Sequence, residues 1–254
     1  MTEENVVLYE KKGPIAFFTF NRPDQMNAMS QEVYDALEDA VKDYTADDSL
    51  FCGVLTGAGG NFSAGGDLKQ RVKKLHQSYG VFPTYRTMEN CPKPFIAAID
   101  GYCLASGFNC AVMFCDFRIC TERAKFGVPV VKRGLTARYP NTYTYQMSLG
   151  NVMYMVLTGK HLNAEEALRM GLVSEVVPHE QLIERATELA TMVAEGAPKH
   201  VQAYKQYFKR FIESPGSFGQ NLVDMIFTPL RTSFDRTEGV EAFLEKRKPK
   251  FEGK

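Results

Sequence analysis

The chain has 254 residues, enough for one large domain or a core domain with a small appendage. Its 30 Lys and Arg balance 30 Asp and Glu, and a formal net charge of zero excludes a strongly basic nucleic-acid or anionic-membrane binder. With 44% hydrophobic residues the chain can bury a full core, and no apolar run reaches the roughly 18 residues of a membrane span.

The N-terminal stretch Met1-Thr2-Glu3-Glu4-Asn5 is acidic and carries neither the basic nor the apolar region of an export signal, which predicts a cytoplasmic protein. Val6 to Tyr9 and Ile15 to Phe20 then read as a hairpin about a Lys11-Lys12-Gly13-Pro14 turn. A helix is expected from Ser30, a good N-cap, with Val33, Leu37, Ala40 and Tyr44 on its apolar face. Phe51 to Thr56, Phe95 to Ile99 and Phe117 to Cys120 are short apolar strands, the last following a helical run from Gly107 to Phe114. Strands separated by helical stretches predict an α/β fold of repeated strand-strand-helix units.

From Ala164 the pattern is helical: Ala164 to Met170 closed by Gly171, Glu180 to Glu195 closed by Gly196, Lys199 to Glu213 stopped at Pro215, then Phe218 to Phe227 and Gly239 to Lys246. Tyr204, Tyr207, Phe208 and Phe211 form an aromatic stripe suited to a core or a subunit interface. The six cysteines (Cys52, Cys91, Cys103, Cys110, Cys115, Cys120) fall almost entirely in apolar runs and predict reduced, buried thiols. The 110, 115, 120 spacing has no Cys-x-x-Cys pair and no nearby His, so no metal site is expected.

Two junctions carry the chemistry. Thr56 to Leu68 contains Gly57, Gly59, Gly60, Gly65 and Gly66 after a strand, with a helix expected near Asp67. It fits neither phosphate-binding fingerprint, because Phe62 stands where a glycine is needed and no Gly-Lys-Ser/Thr follows. Asp100 to Asn109 also runs from a strand into a helix through small residues. Two such junctions can each offer a backbone amide to one carbonyl oxygen, the arrangement that stabilises an enolate or tetrahedral oxyanion.

The chain resembles the crotonase, or enoyl-CoA hydratase/isomerase, superfamily over nearly its whole length. The resemblance rests on Asn21-Arg22-Pro23 with Asn27-Ala28, Phe62 to Leu68, Pro92 to Gly101, Cys115 to Ile119, Ala124 to Pro129, Leu157-Thr158-Gly159, Ala164 to Ala167, Gly171-Leu172-Val173 and Phe243 to Phe251, in that order. It implies an α/β spiral of ββα units over residues 1–198, holding an acyl-CoA site, and a C-terminal helical trimerisation region over 199–254. It further implies a homotrimer or dimer of trimers acting on an acyl-CoA thioester, with coenzyme A as part of the substrate and no tightly bound cofactor or metal. By position, the family's oxyanion-hole amides fall on Gly66 and on Ser106, where a serine replaces the usual glycine without removing the N–H. Arg22, Ala64, Asp67 and Lys69 match positions near coenzyme A, and Phe243 and Lys246 match contacts made across a subunit boundary.

Simple hydratases of this family use two glutamates. Here the first position is Asn109 counted from Gly101, or Cys110 counted back from Asp116, because the interval from Gly107 to Cys115-Asp116 is one residue longer than usual. The second is Val130, and a further position that is aspartate in some relatives is Arg138. Ordinary hydration by a glutamate pair is therefore not expected. Three readings remain. In the first, a crotonase-family lyase or isomerase holds a thioester enolate on Gly66 and Ser106, with Asn109 as hydrogen-bond donor and Tyr139 or Tyr143 as proton donor. Arg138 or Lys132 would then hold a substrate carboxylate, as in a decarboxylase or hydrolase. In the second, His76 or Tyr79 enters as a base. In the third, the protein binds acyl-CoA without turnover.

Overall fold

A computed structural model describes residues 5–67, 70, 83–133, 135, 137, 140–213, 225–226 and 228–254. Strands β1 (Val7–Lys12) and β2 (Ile15–Phe20) form the expected antiparallel hairpin, with Lys12 opposite Ile15. Gly13 supplies the positive φ, +57°, that a two-residue hairpin turn asks of its first central residue. Helix α1 (Gln31–Ala46) starts where Ser30 Oγ accepts the Val33 N–H, and it buries Val33, Tyr34, Leu37, Ala40, Val41 and Tyr44.

The chain then passes through β3 (Cys52–Gly57), α2 (Pro83–Asn90), β4 (Phe95–Ile99), β5 (Tyr102–Leu104) and the short helix α3 (Ser106–Asn109). A π-helical turn, Cys110–Phe114, continues α3. β6 (Phe117–Thr121), β7 (Lys125–Gly127), α4 (Leu149–Thr158), β8 (Leu162–Asn163), α5 (Ala164–Arg169) and β9 (Glu175–Val177) follow. Helices α6 (Leu182–Ala194), α7 (Pro198–Glu213) and α8 (Phe234–Leu244) complete the described chain.

One sheet has the order β1-β2-β3-β4-β6-β9, parallel from β2 onward. Its central strands are buried on both faces, as parallel strands under two layers must be. Side chains alternate accordingly: Phe18, Phe20, Leu55, Phe95, Ala97 and Ile99 join the main core with α1, whereas Ile15, Phe17, Val54, Ile96, Ala98 and Ile119 face Leu182, Ala186 and Ala190 of α6. Each fully buried Phe or Leu contributes roughly 1.5–3 kcal/mol.

A second sheet, β5-β7-β8, is prolonged by two parallel bridges, Ser63 to Cys103 and Met29 to Gly66. The chain thus passes repeatedly from the first sheet to the second and then into a helix: β2, Met29, α1; β3, the Ser63–Gly66 segment, a helix that includes Gln70; β4, β5, α3. This is the ββα spiral.

The expected strands agree within one residue except β1, which runs past Tyr9 to Lys12, so that Lys11 and Lys12 pair with β2 and the turn is Gly13-Pro14 alone. Helix α8 begins at Phe234, five residues before the expected Gly239, because Ser233 caps it by accepting the Arg236 N–H. Gly239 sits inside it, where a Cβ would meet Phe251 at 3.4 Å. The helix expected over Phe218 to Phe227 lies mostly outside the described residues. All six cysteines are buried and unpaired. Among the described residues no helix is long and apolar enough to cross a membrane. On α7, Tyr204 and Phe208 stack at 6.2 Å and face outward.

Two buried charged groups tie the spiral together. The Arg118 guanidinium on β6 donates to the carbonyls of Leu172 (2.8 Å), Ala111 (3.1 Å) and Cys115 (3.0 Å), so a cation satisfies the C-terminal carbonyls of the π turn. Asp100, at the exit of β4, accepts from Thr121 Oγ1 at 2.6 Å and from the Arg123 guanidinium, with the His179 ring 3.0 Å away. Burial alone would push its pKa up, but these hydrogen bonds and the Arg123 charge hold the carboxyl below its usual range.

A depressed folded pKa means that Asp100 stabilises the protein above the unfolded carboxyl value near 4, and that this contribution is lost as pH falls through the folded value. Asp100→Asn is expected to lose about 1–3 kcal/mol at pH 7 and to show a flatter loss of stability below pH ~4 in urea titrations across pH. Parallel curves for the two proteins would refute the assignment.

Candidate active site

The two glycine junctions are locked into each other. Phe62 N–H donates to Asp100 O (2.8 Å), Ser63 N–H to Tyr102 O (2.7 Å) and Leu104 N–H to Ser63 O (2.9 Å). Asn27, buried and at φ +53°, staples the first loop: its Nδ2 donates to Ala58 O and Asn61 O, and its own carbonyl accepts the Ser63 hydroxyl. Glycine is required on both sides of the seam. A Cβ on Gly65, whose φ is +106°, would lie 3.0 Å from Ala105 Cβ and Leu104 O, and one on Gly107 would lie 2.6 Å from Ser63 Cβ.

This packing aims the candidate donors. Met29 bonds to both neighbours of Gly66, its N–H to Gly65 O (2.8 Å) and its carbonyl to Asp67 N–H (3.0 Å). Backbone groups alternate along an extended segment, so the Gly66 N–H faces away from Met29, toward the β5 side. There Ala105 precedes α3 with φ +47° and ψ −109°, a conformation that favours glycine, and its N–H is tied to Gly127 O (2.8 Å). Ser106 opens α3, so its N–H belongs to the first turn, whose amides have no acceptor within the helix. Gly66 and Ser106 therefore sit on two loops in van der Waals contact, with their amides fixed by the fold before any ligand arrives.

Asn109 closes the first turn of α3. Its Oδ1 accepts from the Tyr143 hydroxyl, and its side chain is also hydrogen-bonded to Tyr85, which in turn bonds Tyr34. All four are buried, Tyr143 completely (0% exposed). Tyr143 packs edge-on to Phe108 at 5.2 Å, and Tyr34 lies against Tyr85 at 5.9 Å. Burial pushes the Tyr85 and Tyr143 hydroxyls well above the usual phenol range, so both stay protonated at neutral pH and can donate but not act as bases. The π turn starts immediately after Asn109, and its i→i+5 hydrogen bonds, one residue wider than those of an α-helix, can accommodate the longer interval downstream of Asn109. Cys110 is packed in the core, its thiol raised by burial. Val130 is buried in the turn after β7 and offers no titratable group.

Of the other sequence-derived positions, Arg22, Ala64 and Asp67 flank the first loop. Arg22 Nη1 donates to Ala28 O (2.6 Å) and pairs with Asp67 at 3.3 Å, Ala64 N–H donates to Met26 O, and Asp67 Oδ1 accepts the Gln70 N–H as a helix cap. Lys69, His76, Tyr79, Arg138 and Tyr139 lie outside the described residues. Phe243, 83% exposed, and Lys246 lie at the end of α8, and the segment that follows them meets Phe51 at the start of β3. The glycine loop leaves the other end of that strand, roughly 17–20 Å away, so within one chain they do not join the site. Sequence reasoning missed Tyr34 and Tyr85; the available signal was a phenol on the otherwise apolar face of α1. Among the described residues no group of three metal-ligating side chains occurs.

Two outcomes test this geometry. Gly107→Ala must part the two loops, with an overpacking cost of about 1–3 kcal/mol and a melting temperature lower by several degrees. Tyr143→Phe leaves the Asn109 carbonyl oxygen buried without its donor, at about 1–3 kcal/mol. A double-mutant cycle with Asn109→Ala should return a coupling of ~1 kcal/mol in urea unfolding, and none if the hydrogen bond does not form.

Comparison with known proteins agrees with this construction. The sequence model of the enoyl-CoA hydratase/isomerase family matches residues 10–254. The short-chain-enoyl-CoA hydratase of Clostridium acetobutylicum is 31% identical, with 97% of each chain covered. The (E)-benzylidenesuccinyl-CoA hydratase of Thauera aromatica is 34% identical, covering 97% of this chain and 99% of the relative. The crystal structure of enoyl-CoA hydratase EchA1 from Mycobacterium marinum superposes with a TM-score of 0.91 at 33% identity, over 99% of this chain and 100% of that one. On its interlocked glycine loops, its spiral and these matches, the chain belongs to the enoyl-CoA hydratase/isomerase family of the crotonase superfamily.

Proposed function

We propose that this protein processes an acyl-CoA thioester by holding the enolate oxygen on the N–H groups of Gly66 and Ser106, and that it forms the enolate without a carboxylate base. The observation that carries this reading is the state of Asn109: its amide is engaged by Tyr143 and Tyr85, and at Val130 no proton can be exchanged. An oxyanion hole without a base suits decarboxylation. Loss of carbon dioxide from an α-carboxyacyl-CoA leaves its bonding electrons on the α-carbon as the enolate, which two preorganised N–H donors stabilise, and one proton then completes the product thioester. Arg138 or Lys132 would pair with the departing carboxylate, and Tyr139 is a candidate proton donor. Tyr143, fully buried and bonded to Asn109, instead orients that amide.

Coenzyme A enters as part of the substrate. Its phosphates and adenosine lie along Arg22, Ala64, Asp67 and Lys69, while Phe243 and Lys246 reach the site of a neighbouring subunit in a homotrimer or dimer of trimers built through residues 199–254. The exposed Tyr204 and Phe208 support such an assembly, since outward-facing aromatic pairs are covered at interfaces. We place the protein in the cytoplasm.

The test is direct. Purified protein given malonyl-CoA or methylmalonyl-CoA should release carbon dioxide and form the decarboxylated thioester, and crotonyl-CoA should remain unhydrated. Accumulation of 3-hydroxybutyryl-CoA would overturn the reading. Tight binding of acyl-CoA with no product from any thioester would establish a binding protein instead.

A further inference from the structure

A cavity of about 390 Å³ lies beneath the C-terminal end of the π turn, where β6, α6 and α7 converge. Its size falls at the small end of the 300–1,000 Å³ range of small-molecule pockets, and its walls are mostly apolar, formed by Val112, Met113, Phe117, Tyr145, Val201 and Phe208. Two lysines one helical turn apart on α7 line it, together with Asp116 and, on an exposed position at the end of α2, Glu89.

The two ammoniums and two carboxylates of the lining are unequally paired. Lys205, whose side chain is 5% exposed, is fully engaged: its Nζ donates to Lys93 O (2.7 Å), pairs with Asp116 (3.0 Å) and sits over the Phe95 ring at 5.6 Å. Asp116 Oδ2, the same oxygen, also accepts the Phe95 N–H at 2.8 Å. Lys209 has only the far oxygen of Asp116, at 3.9 Å, beyond hydrogen-bonding distance, and among the described residues its ammonium makes no hydrogen bond. Desolvation, then the neighbouring Lys205 charge, press the Lys209 pKa down, which is the signature of an ammonium short of a counter-charge. The Arg118 guanidinium stands behind the same wall, bonded to Cys115 O and Gln146.

We propose that this cavity binds a medium-chain organic carboxylate, with the acid group paired to the Lys209 ammonium and its hydrocarbon body against Val112, Met113 and Phe117. A carboxylate supplies the missing acceptor, and an apolar tail of that size fills walls that water solvates poorly. A cavity of this volume is too small for coenzyme A. The site does not depend on the chemistry assigned to Gly66 and Ser106.

Isothermal titration with sodium octanoate and with 1-octanol tests it on the full-length protein. Octanoate should bind to wild type and at least tenfold more tightly than 1-octanol, which has the same tail and no charge. Lys209→Gln should weaken octanoate roughly ten- to a hundredfold and leave octanol unchanged, and Lys209→Arg should retain octanoate binding. Equal affinities for acid and alcohol, or octanoate binding indifferent to Lys209→Gln, would overturn the proposal. So would absence of octanoate binding at millimolar concentration in wild type, as when a second copy of the chain covers this face.

Discussion

The candidate site depends on the seam between the Ser63–Gly66 segment and the Leu104–Gly107 junction. Two glycines make it possible, Gly65 against Ala105 and Gly107 against Ser63, because a Cβ at either point would fall inside contact distance. The bridge between Ser63 and Cys103 sets the register of the two loops, and Met29 sets the direction in which the next amide points. An oxyanion hole needs donors that do not reorganise during the reaction. The candidate donors on Gly66 and Ser106 each follow a residue whose amide is engaged, Gly65 on Ser63 Oγ and Ala105 on Gly127 O, so the second sheet itself holds their backbone.

Around that seam buried polar side chains hold each segment in place. Asn27 holds the first loop, Asp100 the entry to the second, and Arg118 the far end of the helix that carries Ser106 and Asn109. Asn109 is held by two buried phenols. A neutral amide in that position, fixed between neutral hydroxyls, costs far less to bury than a carboxylate would. The same burial keeps Tyr85 and Tyr143 protonated, so neither serves as a base.

The extra residue before Cys115-Asp116 shows how a fold absorbs a change of length. By counting, it put either Asn109 or Cys110 at the head of the site. The π turn over Cys110–Phe114 can accommodate it after Asn109, and Arg118 satisfies the carbonyls at its end. A shift at Asn109 would have turned the Tyr143 bond out of reach.

Much of this was legible from sequence, because local rules govern it. Hairpin, α1 with its Ser30 cap, the buried parallel strands and both glycine loops follow from periodicity, turn chemistry and motif order. Helices α2 and α4 passed unread although α4 carries a Ser148 cap and a Gly159 stop, because its outward face bears Leu149, Met153 and Leu157 and gives no amphipathic contrast. What the tertiary structure alone decided is long-range: that Tyr85 and Tyr143, 24 and 34 residues from Asn109, converge on its amide, that Lys209 meets Asp116 across a cavity, and that the tail of α8 lies at the far end of β3. Periodicity records which face of an element is buried, and only packing determines which distant polar group meets it there.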